Sequence, residues 1–132
     1  MLKVSTRSQY GLRAMIFLAK RQDKVSSLRK ISQEEGISFD YLEKIVTKLE
    51  KSGLLISRKG SLGGYFLAKP ANKIKIGEII RAVEGNTPLV ECSQGSKKCP
   101  MIKKCFAKKF WGKLQNSLNK ALDSLTLAEL IS

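Results

Sequence analysis

Histidine is absent from this 132-residue chain. That removes the side chain most used as a general base near neutral pH and the commonest nitrogen ligand for metals. Acidic residues are scarce, 11 against 25 lysines and arginines, so the net charge is +14. There is no phosphate-binding glycine loop, no dinucleotide fingerprint, no Ser/Lys pair and no paired-carboxylate constellation. The expectation is therefore a non-enzyme without a small-molecule substrate. Apolar runs are too short to span a bilayer, which predicts no membrane partner. The first apolar helix is interrupted by Arg13 and ends in Lys20 and Arg21, unlike a secretion signal, so a soluble cytoplasmic protein is expected. Cysteine is limited to three residues, an odd number, in a chain long enough to bury a core without disulfides. Metal binding or redox chemistry is favoured over a disulfide framework.

The positive charge sits in two blocks. Residues 1–60 carry +7, residues 61–91 only +1, and residues 92–132 carry +6. A general enrichment in lysine would give such a total. So large an excess also points to a polyanion, either nucleic acid or an anionic membrane surface.

The pattern between residues 6 and 85 narrows that reading. A first helix from about Thr6 to Arg21 is apolar nearly all round, as for a helix buried on several sides or shared with a partner. Ser27 caps a short second helix that Gly36 ends. Ser38 caps a third, with Asp40 in its first turn and Ile37 and Leu42 as a hydrophobic staple. Phe39, Leu42, Val46 and Leu49 form its inward stripe, and Asp40, Glu43, Lys44, Thr47, Lys48 and Lys51 its outer face, up to Gly53. Residues 54–57 and 65–67 read as strands around a basic glycine-rich turn at residues 58–64. A hairpin directly after two helices joined by a tight glycine turn is a wing. A fourth helix over Ile76–Glu84 faces inward through Ile76, Ile79, Ile80 and Val83 and stops at Gly85. The predicted fold class is mostly α with a small β-hairpin: a winged helix-turn-helix domain plus a long C-terminal dimerisation helix.

All three cysteines fall between residues 92 and 105, spaced C-x6-C-x5-C, among Lys97, Lys98, Lys103 and Lys104. Such cations lower thiol pKa values and offset the charge of a thiolate-bound group. The next helix starts either at Pro100 or nearer Cys105. Ala107, Trp111, Leu114, Leu118, Ala121 and Leu125 then repeat at a 4-3 spacing, widened by Phe110 and Leu122. That is an a/d seam suited to a symmetric dimer, with packing onto the chain's own N-terminal part as the alternative. Thr126 and Glu129 begin a short last helix over Leu127–Ile131. The organisation expected is residues 1–85 as DNA-binding domain, 86–106 as the cysteine loop, and 107–132 as dimerisation helix and terminal helix.

Several segments together resemble the IscR-like winged-helix transcription regulators of bacteria, a group with iron–sulfur and nitric-oxide sensors. They are Tyr10–Met15, Ile37-Ser38 with Tyr41-Leu42-Glu43, Lys59-Gly60 followed by Gly63-Gly64-Tyr65, residues 76–85, the three cysteines, and Thr126–Leu130. The resemblance covers nearly the whole chain. It implies a homodimer on a pseudo-palindromic double-stranded DNA operator. Ser38, Asp40, Tyr41, Glu43 and Lys44, with Lys48 beside them, would face the major groove, and Arg58, Lys59, Gly60 and Ser61 would form the wing contact. Glu43 can accept from a cytosine amino group, and Lys44 and Lys48 can reach phosphate or guanine.

The same resemblance implies an iron–sulfur cluster, 2Fe–2S, on Cys92, Cys99 and Cys105. The chain departs from the related pattern by one residue in the first cysteine interval. Lys108 also stands where some relatives have a histidine ligand. Gln9, with Ser8 beside it, stands where others supply a carboxylate, and Glu91 adjoins Cys92. The fourth ligand stays open, and so do a zinc site and direct thiol redox sensing in place of a cluster.

Overall fold

The computed structural model describes residues 2–21, 24–85, 89 and 106–132. Cys92, Cys99, Cys105 and Glu91, together with the lysines between the cysteines, lie outside the described residues. Helices α1 (Thr6–Ala19), α2 (Leu28–Glu35) and α3 (Phe39–Lys51) come first. Strands β1 (Leu55–Arg58) and β2 (Gly64–Leu67) follow, then a 3-10 turn at Ala71–Lys73 and helix α4 (Ile76–Glu84). Helices α5 (Ala107–Ser124) and α6 (Leu127–Ile131) complete the order. Among the described residues, mostly helical structure with one two-stranded antiparallel hairpin matches the expected fold class.

Local chemistry sets most boundaries. The Ser5, Ser27 and Ser38 hydroxyls accept from the backbone N–H groups of Ser8, Lys30 and Tyr41, satisfying donors that the first turns leave unpaired. Thr126 does the same for Glu129 at the start of α6. Gly36 ends α2 in the left-handed conformation, φ 67°, which glycine adopts without a Cβ clash. Helix α1 stops at Ala19, two residues before the expected end, where the Arg21 N–H bonds to the Leu18 carbonyl in a tightened last turn.

The core is a single cluster around α1, whose Ala14, Met15, Leu18 and Ala19 are essentially inaccessible. Leu42, Val46 and Leu49 of α3 and Ile79 and Val83 of α4 close on it. Gly11 lets α4 approach, since a Cβ there would meet Val83 Cγ1 at 3.1 Å. Phe39 departs from its expected inward place and is 42% exposed. It is the first residue of α3, before the helix has turned its stripe onto the core. Ile37 and Leu42 are both buried, as a staple requires.

The wing is anchored by a contact that spacing does not announce. Ser26 pairs with Tyr65 through two backbone hydrogen bonds, 3.0 and 2.8 Å, adding a third rung-bearing segment to the outer edge of β2. Gly64 is required there, because a Cβ would collide with the Ser26 carbonyl oxygen.

The end of α5 is fastened to the same body. The Ile76 N–H donates to the Leu125 carbonyl and the Leu127 N–H to the Ile74 carbonyl, 3.0 and 2.8 Å. Leu127 is fully buried, and α6 lies against α1 and the 3-10 turn. Arg81 grips Asp123 with two hydrogen bonds of 2.9 Å, in space that a side chain at Gly77 would occupy.

The Arg81 guanidinium holds the Asp123 carboxyl below its ordinary value of 3.8. A carboxylate whose folded-state pKa is lowered stabilises the fold above its unfolded value and loses that contribution as pH falls through the folded value. The pair is over a third exposed, so screening limits its worth to about 1 kcal/mol or less. Asp123→Asn is therefore expected to lower urea-unfolding stability by that amount near pH 7. The gap to wild type should close in acid, below the ordinary carboxylate range.

Candidate nucleic-acid interface

Helix α3 turns its apolar stripe to the core, so its other faces are presented outward. Asp40, Glu43, Lys44 and Lys48 are exposed and Tyr41 is half-buried. Of the residues expected at a major groove, Ser38 is occupied as the cap of α3, its oxygen accepting from the Tyr41 N–H at 3.2 Å. The Lys48 ammonium donates to the Val83 carbonyl at the end of α4, at 3.4 Å. Tyr41 is fixed from behind. Its ring meets Tyr10 edge-on, centroids 5.7 Å apart at 87°. Arg13 lies 5.4 Å over the Tyr10 ring and donates to the Glu35 backbone carbonyl. One stack thus connects the end of α2, through α1, to the exposed face of α3.

The two flanks of α3 differ in charge. At about 100° per residue, Glu43 and Glu50 fall on the flank toward the hairpin. Ser57 of β1 donates to Glu50 at 2.8 Å. Burial first, then Glu50 and Glu43, raises the Tyr65 phenol above its ordinary value of 10.0. About 100° and 140° further round the helix from Glu43, Lys44 and Lys48 share a groove of about 450 Å³ with Arg7, Tyr41, Ile45, Thr47, Lys51 and Val83, and Glu43 itself forms part of its wall.

The hairpin places Arg58 opposite Gly64 and leaves residues 59–63 as its tip. The Gly63 N–H donates to the Gly60 carbonyl at 3.0 Å, closing the turn with Gly60 at φ 107°. Arg58, Lys59, Gly60 and Ser61 are all exposed, and Leu62 is 89% exposed. A narrow glycine-bearing tip with two cations suits a minor groove, whose potential attracts Arg and Lys. Helix α3 and this tip thus lie on one body, as the sequence expects.

Sequence reasoning passed over the cluster at the start of α1. Glu84, the last residue of α4, accepts from Ser8 Oγ at 2.9 Å, from Ser5 Oγ, and from Arg7 Nη2 at 3.2 Å. Ser8 is almost wholly buried, a rare state for a serine without a partner and here satisfied by Glu84. Its only sequence signal is a run of hydroxyls before an apolar helix.

Helix α5 is the other feature with a face to account for. All its residues are described, and none is buried. Leu118 is 38%, Leu125 43% and Phe110 57% exposed, and Phe110 stacks edge-on against Trp111, centroids 5.2 Å apart.

For the metal reading, the described residues hold no group of three or more cysteines and carboxylates able to bind an ion. The donor chemistry fits a cluster through three thiols, with Glu91 as the carboxylate beside them in sequence. Ser8 Oγ is committed to Glu84, Gln9 Nε2 donates to the Val4 carbonyl at 3.0 Å, and Lys108 is an exposed cation. Among the described residues no helix is long and apolar enough to cross a membrane.

A three-helix core with the second and third helices in tight succession, a basic hairpin after them and an exposed polar face on the third defines a winged helix-turn-helix protein of the DNA-binding class. The chain belongs to the Rrf2 family, described as "Iron-dependent Transcriptional regulator", whose profile matches residues 4–132. Protein rrf2 of Nitratidesulfovibrio vulgaris is 35% identical over 131 residues, covering 98% of this chain and 87% of that protein. Among solved structures, CymR, the global cysteine regulator of B. subtilis, superposes with a TM-score of 0.79 at 37% identity, covering 98% of this chain and 96% of that one. The IscR of T. potens gives a TM-score of 0.80, also at 37% identity, over 98% and 86%.

Proposed function

We propose that this Rrf2-family regulator acts in the cytoplasm as a homodimer that binds a pseudo-palindromic operator, and that a 2Fe–2S cluster on Cys92, Cys99 and Cys105 modulates the binding. Residues 1–85 are the DNA-binding body, 86–106 the sensing loop and 107–132 the dimerisation arm. The observation carrying the DNA reading is that α3 and the basic wing tip are exposed on one body. Ser38, Asp40, Tyr41, Glu43, Lys44 and Lys48 serve the major groove, and Arg58, Lys59, Gly60 and Ser61 serve the minor groove. Support for the dimer is the unburied apolar stripe on α5.

The bound cluster would supply an iron site open to oxidation, loss or reaction with nitric oxide. The chain contributes the thiolates and a cationic surround. It also contributes a direct connection in sequence, because the cysteines lie between the end of α4 in the DNA-binding body and the start of α5.

A second reading keeps the regulator and replaces the cluster with direct thiol oxidation or zinc. One observation favours it: none of the described candidates Ser8, Gln9 and Lys108 is a thiolate, imidazole or carboxylate, which leaves Glu91 as the one named candidate to join the three thiols. Footprinting on a duplex selected by the protein from a random pool tests the regulator common to both readings. Protection of two half-sites by two protomers is expected, and equal affinity for any duplex would overturn it.

A further inference from the structure

The major groove of B-DNA is about 12 Å wide, and a helix with its side chains fills 10–12 Å of it. Both flanks of an inserted helix therefore come near a phosphate strand. On α3 the flank toward the wing carries Glu43 and Glu50, and the wing tip brings its own cations. Lys44 and Lys48 lie further round the helix, and the groove beside them is bordered by Arg7 from α1, by Lys51 and also by Glu43. Four cations from two separate elements thus border one groove against a single carboxylate. Arg7 is about half exposed, its guanidinium held by Glu84 at 3.2 Å. A guanidinium has five N–H donors in a rigid fork, so it can hold a carboxylate oxygen and a phosphate oxygen together.

We propose that Arg7 and Lys51 form, with Lys44, a phosphate-binding wall along the groove between α3 and the start of α1, with Glu84 orienting Arg7 toward the DNA strand. The proposal rests on the DNA-binding reading and adds to it the residues that grip the backbone there. Phosphate contacts carry affinity and salt dependence but little sequence information. Arg7 and Lys51 consequently differ in role from Glu43, which faces base edges.

The test is fluorescence anisotropy with the full chain across a KCl series. Its probes are a duplex the wild type selects from a random pool and a scrambled duplex of the same composition. Each phosphate contact contributes about 0.9 to the slope of log affinity against log salt. Arg7→Gln and Lys51→Gln should each flatten the slope by about 0.9 per bound protomer and weaken both duplexes by the same factor. Arg7→Lys, which keeps the charge, should restore most of the slope. Unchanged slopes in both glutamine variants, or a loss confined to the selected duplex, would overturn the wall. A wild-type chain that prefers no duplex would instead overturn the functional reading beneath it.

Discussion

Alanine at Cys92, Cys99 or Cys105 is expected to abolish the visible absorption of the anaerobically purified protein, with iron and acid-labile sulfide falling together. The effect should be near-complete for each single substitution. Iron–sulfur clusters are held mainly by cysteine thiolates. This chain has three cysteines and no histidine, so no spare thiol or imidazole can replace a lost ligand. The described candidates for a substitute are poor: Gln9 is a neutral amide bonded to Val4, and Lys108 is a cation. Zinc bound in wild type, without colour, would favour the second reading. A full cluster in every cysteine variant would show the ligand assignment to be wrong.

Leu118→Glu is expected to convert the dimer to monomer and to weaken operator binding by roughly 10²-fold or more, because the second half-site is then no longer bound intramolecularly. The charge would enter the middle of the α5 seam, where a buried carboxylate has no partner among Trp111, Leu114 and Leu125. The fold of the protomer should survive. Leu118 is 38% exposed, and α5 has no buried residue, so the core around α1 loses nothing. Sedimentation velocity reads the dimer, and circular dichroism on heating reads the protomer. A variant that stayed dimeric would mean that another surface carries the interface. A variant that melted early would mean that α5 serves its own chain instead.

These two experiments address different ends of one connection. The far end of α5 is fastened by the Arg81–Asp123 pair and by the strand-like bonding of residues 74–76 to 125–127. Its near end follows the cysteines. On the proposed function, a change in the loop would be passed to the DNA-binding body by two routes, through α5 and through Glu84, which closes α4 and holds Arg7 beside α3.

The legible parts of this protein are those set by neighbours in sequence. Ser27 with Gly36, Ser38 with the Ile37–Leu42 staple, and Thr126 with Glu129 each fix a helix end within a few residues. The 3-4 spacing of Leu42, Val46 and Leu49 told which side of α3 is buried, hence which side is presented. Long-range contacts had no such signal. Ser26 meets Tyr65, and Ser5, Arg7 and Ser8 meet Glu84, only after the chain has folded. The Tyr10–Tyr41 contact belongs to the same class: Tyr10 shows in sequence only as one apolar residue of a buried helix, not as the support of an exposed tyrosine. Phe39 misled for a local reason, since an apolar residue at the first helical position fits the stripe by spacing while standing outside it in space. The cysteines show the reverse balance. Their spacing and cationic setting are plain in the sequence, whereas a fourth ligand depends on what folding or a partner subunit brings near.

The most direct test of the central claim is operator affinity measured on one anaerobic preparation before and after removal of its metal. Visible spectra and iron and sulfide analysis would be taken on the same sample, with the selected duplex as probe. A coloured protein carrying iron and sulfide, whose affinity for that duplex changes at least tenfold when the cluster is removed while its dimer persists, is the predicted result. Equal affinity in both forms, or a colourless protein that binds its operator fully, would contradict it.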